Sequence, residues 1–535
     1  MDPVRTYHER SKHQLERYAS GPAGLDWRSQ PDPFRRYAGA PLLNLPLLAD
    51  DPPVCWDDLF GPAPVPPQAL TMATVAGLLQ LALGLSAWKS FNGKRWALRC
   101  NPSSGNLHPT EGYLICPELA GLPAGVHHYR SDQHALELRA AAPFAWSGGV
   151  LVALTGIHWR EAWKYGLRAF RYCQHDCGHA LAALSYAAAI LGWPTRLLLD
   201  WGDDDIAALT GLNRTQEFPA NEPETPEAML WIGPGEAPAV AQVLAALATA
   251  RWSGMANTLS PAHCDWPDIP AVAAATHQPT GFARLPEHHE ASPDLPPLAL
   301  ASRAHASQLI RGRRSAQAFD GVSTLAAPNF YRMLDALLPR PSQPPWSLSG
   351  GTPCVHPVLF VHRVQGLEPG IYCLPRTPTA LAELRAAMRP DWLWARVPGC
   401  PEHLPLYLLA PLQVQQFAAT ASCHQDIAAD GAFMLAMLAR FDDISAARAW
   451  LYRQRFWEAG MLGQALYLEA EACGIQGTGI GCYFDDVVHD ALQLDTTRFQ
   501  DLYHFTVGRA IVDARLGSET GYAHLEERAR ARTAD

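Results

Sequence analysis

Two stretches of this chain match without a gap, and a chain that repeats itself at such a distance is constrained to fold as two related units. FRYCQHDCGHALAALSYAAAILGW starts at Phe170 and YRQRFWEAGMLGQALYLEAEACGI at Tyr452. Gly178 falls on Gly460 and Gly192 on Gly474, both at an offset of 282 (460 − 178 and 474 − 192). A second match, GLPAGV from Gly121 and GLEPGI from Gly366, occurs in the same order. Two ordered matches argue for a duplicated domain, and 535 residues are too many for one ordinary core.

Periodicity and composition divide the chain further. Residues 1–70 carry Pro-rich clusters such as QPDPFRRYAGAP, which cannot run as long helices and suggest an extended arm. Residues 71–253 form the first expected domain. In it, Thr71–Trp88 has a helical pattern, Tyr113–Cys116 and Val150–Ile157 look like strands, and Ala169–Leu191 reads as a long Ala-rich helix. Prolines and polar residues dominate 254–298, the signature of a linker. A second domain is expected over 299–520, with 521–535 as a tail.

With 48% hydrophobic and 18% charged residues, the chain can bury a core. Its net charge of −10 disfavours a nucleic-acid partner, which would call for a basic face. No run of about 18 apolar residues marks a membrane span, and the charged N-terminus lacks a signal-peptide pattern. The reading is therefore cytoplasmic, with twelve reduced and mostly buried cysteines.

Three motifs carry chemistry, each with an ordinary structural alternative. RCNPSSGNLHPTE (Arg99–Glu111) offers hydroxyls, an amide and a glycine to a flat ligand, or is simply a polar turn. IRGRRSAQAFD (Ile310–Asp320) pairs arginines with a serine, as a phosphate site or a solvated basic helix start. GIQGTGIGCYFDD (Gly474–Asp486) frees backbone N–H groups, although a Gly-rich loop alone is weak evidence. Cys173, His175, Cys177 and His179 suggest zinc. At about 100° per residue on a helix, however, the cysteines and histidines occupy opposite faces, so no metal is expected. His424 and the His127 and His288 pairs have no useful partner spacing.

Taken together, RRSxxxFD, PSSGNLHP and the Gly-rich turn resemble the nitroreductase family, most closely its SagB-type dehydrogenase branch. YHERSK near the N-terminus, WKYG (Trp163–Gly166), VGR (Val507–Arg509) and IVDAR ending at Arg515 add to the resemblance. It implies an α+β fold of two nitroreductase-like domains, each a central sheet flanked by helices, joined as an intramolecular pseudo-dimer. Further oligomerisation stays open.

The resemblance also implies FMN at the interface. Arg313, Arg314 and Ser315, joined by Arg515, would hold its phosphate. Backbone at Gly479, Ile480 and Gly481 would face the N5 and O4 edge, and Pro102, Ser103, Ser104 and Asn106 of the other domain would line the ring and ribityl chain. Lys164 and Tyr165 match the catalytic base pair of azoline-oxidising members. The expected activity is hydride transfer between flavin N5 and a small-molecule or peptide-derived substrate. NADH or NADPH would be the transient donor for a reduction, and oxygen or another acceptor would serve an oxidation.

The two halves differ in complementary ways. Gly477, Gly479 and Gly481 fall on Thr195, Leu197 and Leu199, and GTPCVHP (Gly351–Pro357) replaces PSSGNLHP in the second half. One composite site is therefore expected, with its mirror image dead. Two other readings stay open: a peptide-modifying azoline dehydrogenase within a biosynthetic complex, and a non-catalytic scaffold with a decayed flavin site.

Overall fold

The computed structural model describes residues 2–281, 295–348 and 351–525. The expected linker and tail fall partly outside them, as does the His288 pair. No helix among the described residues is long and apolar enough to cross a membrane.

Each half builds a seven-stranded antiparallel sheet. In spatial order the first runs Leu42–Asn44, Ala135–Ala141, Gly125–Arg130, Thr110–Cys116, Val150–Gly156, Thr225–Ile232 and Thr195–Leu197. The second runs Ala395–Arg396, Tyr407–Pro411, Gly370–Cys373, Val355–Val361, Phe433–Arg440, Phe499–Gly508 and Gln476–Ile480. Central strands such as Val150–Gly156 and Val355–Val361 are buried along their whole length, which explains their continuous apolar character. The GLPAG/GLEPG repeat has a structural cause. Gly121 and Gly366 turn with φ of +83° and +76°. Four residues on, a Cβ at Gly125 or Gly370 would strike the carbonyl oxygen of Ala140 or Ala410 on the next strand.

The two helices that carry the sequence repeat, Ala169–Ile190 and Leu451–Ala472, pack against each other and join the halves. They cross where the repeat places glycine. A Cβ on Gly178 would overlap the Trp457 carbonyl, and one on Gly460 would overlap the His175 carbonyl while lying 2.9 Å from the Gly178 Cα. Polar pairs sit in this apolar contact, including Trp457 Nε1 donating to Gln174 at 2.7 Å and His179 facing Gln464 at 3.2 Å. Buried ion pairs also bridge the halves: Arg453 with Asp203 at 2.8 Å and Arg168 with Asp485 at 2.8 Å.

Both chain ends cross over. The helix Pro3–Arg10 docks on the second half, where His8 meets Tyr452 and Gln500, each at 3.1 Å. In the other direction, Gly517–Thr520 pairs with Leu85–Phe91 of the first half, completing a three-stranded sheet with Lys94–Arg99.

Three local expectations change. The helix expected over Thr71–Trp88 stops at Ala82, and Leu85 begins a strand. A Cβ at Gly84 would meet the Tyr522 hydroxyl at 2.8 Å, so the C-terminal segment occupies the space beside it. The Gly-rich segment is an edge strand, Gln476–Ile480, rather than a turn. RRS follows the helix Ala306–Gly312 instead of starting one, so its arginines sit at the negative end of the helix dipole.

Candidate functional site

A cavity of about 270 Å³ lies where the halves meet. The first half contributes Pro102–Gly105, Tyr165, Tyr172, Asp176 and His179. The second contributes Ser315, Gln425, Tyr467, Thr478–Cys482 and Tyr503. The structure therefore brings Pro102, Ser103, Ser104, Tyr165, Ser315, Gly479, Ile480 and Gly481 to one space.

The loop 102–105 is held against the long helix by Asp176. Its carboxylate accepts from the Ser104 backbone N–H at 3.0 Å and from the Ser104 hydroxyl at 3.1 Å. Gly105 adopts φ +58°, and a Cβ there would meet the Tyr165 hydroxyl at 2.5 Å and Lys164 Nζ at 3.0 Å. Glycine thus lets the loop lie against the Lys-Tyr pair, although Lys164 is not itself on the cavity wall.

On the opposite wall, Ser315 forms a bridge to Gly477, and its hydroxyl lies 2.8 Å from that of Tyr467. The Gly479 N–H donates to the same tyrosine at 2.9 Å. Gly479 and, just past the strand, Gly481 serve the packing of tyrosines: a Cβ at Gly479 would run into the Tyr503 hydroxyl, and one at Gly481 into the Tyr172 ring.

Arg313 sits one layer back, its guanidinium 4.9 Å from the centre of the Tyr467 ring. Nε and Nη2 donate to the Cys100 and Arg99 carbonyls, each at 3.3 Å, while Nη1 is buried without a partner. A buried, charged donor left open beside a polar cavity fits an anionic ligand.

Besides Arg313, four sequence candidates do not reach the wall. Arg314 spends its guanidinium on the carbonyls of Arg311, Arg313 and Ser86. Asn106 bridges the Ala97 carbonyl and His108. Arg515 is largely exposed and paired with Asp513 at 2.7 Å. Lys164 stands behind Gly105. Other partners capture the first three before they can turn inward.

Electrostatics single out two carboxyls that sequence reading missed, Asp176 and Glu161, and one residue it named, Tyr165. Burial pushes the Asp176 carboxyl up to about 7, against the hydrogen bonds from Ser103 and Ser104. Glu161 is raised well above the carboxylate range by burial and then by the Asp176 charge. Burial likewise raises the Tyr165 phenol, with Glu161 adding to the effect, so this hydroxyl stays protonated. Asp176 lay inside the CQHDCGH segment. Its signal was helical spacing, because Tyr172, Asp176 and His179 share one face at i, i+4 and i+7.

The related position across the helix pair is smaller, about 130 Å³. At the offset of 282, Tyr172, Asp176 and His179 become Gln454, Glu458 and Met461, while Gly479 and Gly481 become Leu197 and Leu199. Glu458 repeats the Asp176 arrangement, accepting from the Cys354 N–H at 3.0 Å. Here, though, it is also ion-paired to Arg376, whose guanidinium rests on Trp346 at 4.5 Å. Side chains occupy what is open on the other side.

No family model matches the sequence, and no curated protein matches it. Solved structures do. A candidate nitroreductase from Anabaena variabilis aligns over 96% of this chain and 100% of its own, at 20% identity and a TM-score of 0.67. Shorter matches include the E. coli microcin synthetase McbBCD complex with truncated pro-MccB17 bound (15% identity, 44% of this chain, 85% of that one, TM-score 0.28). Another is a candidate nitroreductase from Exiguobacterium sibiricum in complex with FMN (11%, 40% and 92%, TM-score 0.23). The full-length match, together with two seven-stranded sheets flanked by helices, shows that this chain has the nitroreductase-like α+β fold, in two domains.

Proposed function

We propose that the chain is an FMN-dependent oxidoreductase with one flavin site, shared between the halves of an intramolecular pseudo-dimer. The observation that carries this reading is the two-sided cavity: serine hydroxyls and a buried carboxylate on one wall, glycine backbone and an open arginine donor behind the other. Its volume of about 270 Å³ is close to the lower end of small-molecule pockets, roughly 300–1,000 Å³. The smaller counterpart, lined by Leu197 and Leu199 where the first has glycines, supports one site rather than two.

In this reading Arg313 and Ser315 bind the phosphate, the backbone at 479–481 lies along the ring edge, and Pro102, Ser103 and Ser104 cover the ring and ribityl chain. FMN, when bound, supplies two-electron hydride exchange with a small or peptide-derived substrate. The protein's own contribution is proton handling. Tyr165, held protonated, is a hydrogen-bond and proton donor, and Asp176 has the proton affinity of a group that can exchange near neutrality. The adjacency of Lys164 and Tyr165 to Gly105 favours a second reading, an azoline-type dehydrogenase that draws a proton from its substrate. NADH or NADPH is the donor for the reductive direction.

The test is flavin content and turnover. Purified protein should carry FMN at one per chain and show reduction or reoxidation of that flavin on a substrate screen with and without NADH or NADPH. Two flavins per chain would refute the shared site, and no affinity for FMN would favour the scaffold reading.

A further inference from the structure

Five of the twelve cysteines are buried, fewer than the sequence suggests, and two of the half-buried ones meet at the rim of the cavity. Cys482 forms part of its wall, immediately after Gly481. The loop 421–425 is clamped over it from both sides. The Phe484 N–H donates to the Ala421 carbonyl at 2.8 Å, and the Gln425 side chain donates to the Cys482 carbonyl at 2.8 Å. Cys423 lies midway between those clamps and is hydrogen-bonded to the Cys482 sulfur.

The backbone there is strained. Cys423 and the next residue, His424, both adopt left-handed conformations, with φ of +55° and +58°. Two consecutive non-glycine residues in that region persist only where surrounding structure imposes them, and such sites cluster at functional positions.

Cys482 has two further partners. Nδ1 of His13 accepts the Ala19 N–H at 2.9 Å, so the neutral ring keeps its proton on Nε2, and the ring hydrogen-bonds Cys482. Arg168 reaches the same turn through its Nε donating to the Gly481 carbonyl at 3.2 Å. Hydrogen bonding from Cys423, followed by His13, against the cost of burial, holds the Cys482 thiol well below its ordinary value. Cys423 is pushed the opposite way by the same bond and by burial. Tyr18, Tyr172 and Asp485 are the other ionisable groups nearby. A stabilised thiolate beside a protonated thiol is the arrangement of an attacking and a resolving cysteine.

We propose that Cys482 and Cys423 form a dithiol redox site that exchanges two electrons with low-molecular-weight disulfides. The Cys482 thiolate attacks one sulfur of the disulfide and expels one thiolate. Cys423 loses its proton to solvent and attacks the Cys482 sulfur, expelling the second. The protein pair is oxidised to one disulfide, and the small disulfide is reduced to two thiols. The proposal needs only these residues and does not depend on a bound flavin.

Glutathione disulfide is the probe. Full-length protein is equilibrated with it, quenched, alkylated and mapped by mass spectrometry. A Cys423–Cys482 linked peptide should appear, disappear with dithiothreitol, and leave exposed Cys264 outside any intramolecular link. At mildly acidic pH, iodoacetamide should modify Cys482 at least about tenfold faster than Cys264, because only the thiolate reacts. Cys423→Ser should convert the intramolecular product into a stable glutathione adduct on Cys482. Persistence of both free thiols in the oxidised buffer, or equal alkylation of Cys482 and Cys264 in the wild-type chain, would overturn the proposal. Neither readout requires a variant to fold.

Discussion

Gly178→Ala sets two opposed effects against each other at the helix crossing. In a helix interior, alanine is favoured over glycine by about 0.5–1 kcal/mol. The added methyl, however, would lie within overlap distance of the Trp457 carbonyl oxygen and 2.8 Å from both its carbonyl carbon and its Cα. These are backbone atoms of the partner helix, so no side-chain rotation relieves the contact and the two helices have to separate. Overpacking of this kind costs roughly 1–3 kcal/mol, and a rigid backbone neighbour places the cost at the upper end. The net expectation is a loss of about 2 kcal/mol. Gly312→Ala is the control, because nothing lies within 4 Å of its Cβ position and its φ is not left-handed. It should be neutral or stabilising by a few tenths to about 1 kcal/mol. Urea titrations followed by tryptophan fluorescence compare the two. A Gly178→Ala protein with the wild-type midpoint would refute the claim that glycine is required for close approach of the halves.

Three further outcomes are expected. Asp176 goes from an unfolded value near 3.9 to about 7 when folded, so the folded state binds the proton more tightly and stability falls as pH rises from about 4 through 7, by up to roughly 4 kcal/mol. Urea midpoints across that range should flatten in Asp176→Asn, and an unchanged slope would contradict the assignment. Arg313→Ala should weaken FMN affinity by about 10- to 150-fold, the worth of one charge-assisted bond, and Arg314→Ala should do little; fluorescence titration with FMN would expose the reverse order. Gly479→Leu drives a side chain into Tyr503 and should abolish FMN binding in the same titration, with retained affinity counting against the wall assignment.

The paired architecture was legible because the repeat recurs in the elements that need it most: glycines at a helix crossing and at crowded strand starts. Residues 102–104 and 479–481 were legible as well, since their polarity and glycine content are unusual for the interior. Other features depend on distant neighbours. Leu85–Trp88 continues an apolar run that looks helical, and pairing with Lys94–Arg99 on one side and Gly517–Thr520 on the other makes it a strand. Spacing alone could not reveal that Arg515 pairs with Asp513 and that Arg314 spends its guanidinium on main-chain carbonyls, one of them in the other half, which leaves Arg313 as the open donor. Asp176 was hidden among residues whose pattern speaks first of metal ligands and then of packing.

The crossed chain ends bear on how this molecule is made. Leu85–Phe91 emerges early from the ribosome, yet its edge is completed by a segment more than 400 positions later, and the Tyr522 hydroxyl then accepts the Leu85 N–H at 2.9 Å. Conversely, the opening helix must wait for Tyr452 and Gln500 before His8 has partners. Neither domain can finish alone during synthesis. Long-range closures of this kind are slow, so the early half has to survive in an incomplete form until the last strand docks, and trimming that strand should unravel the domain built first.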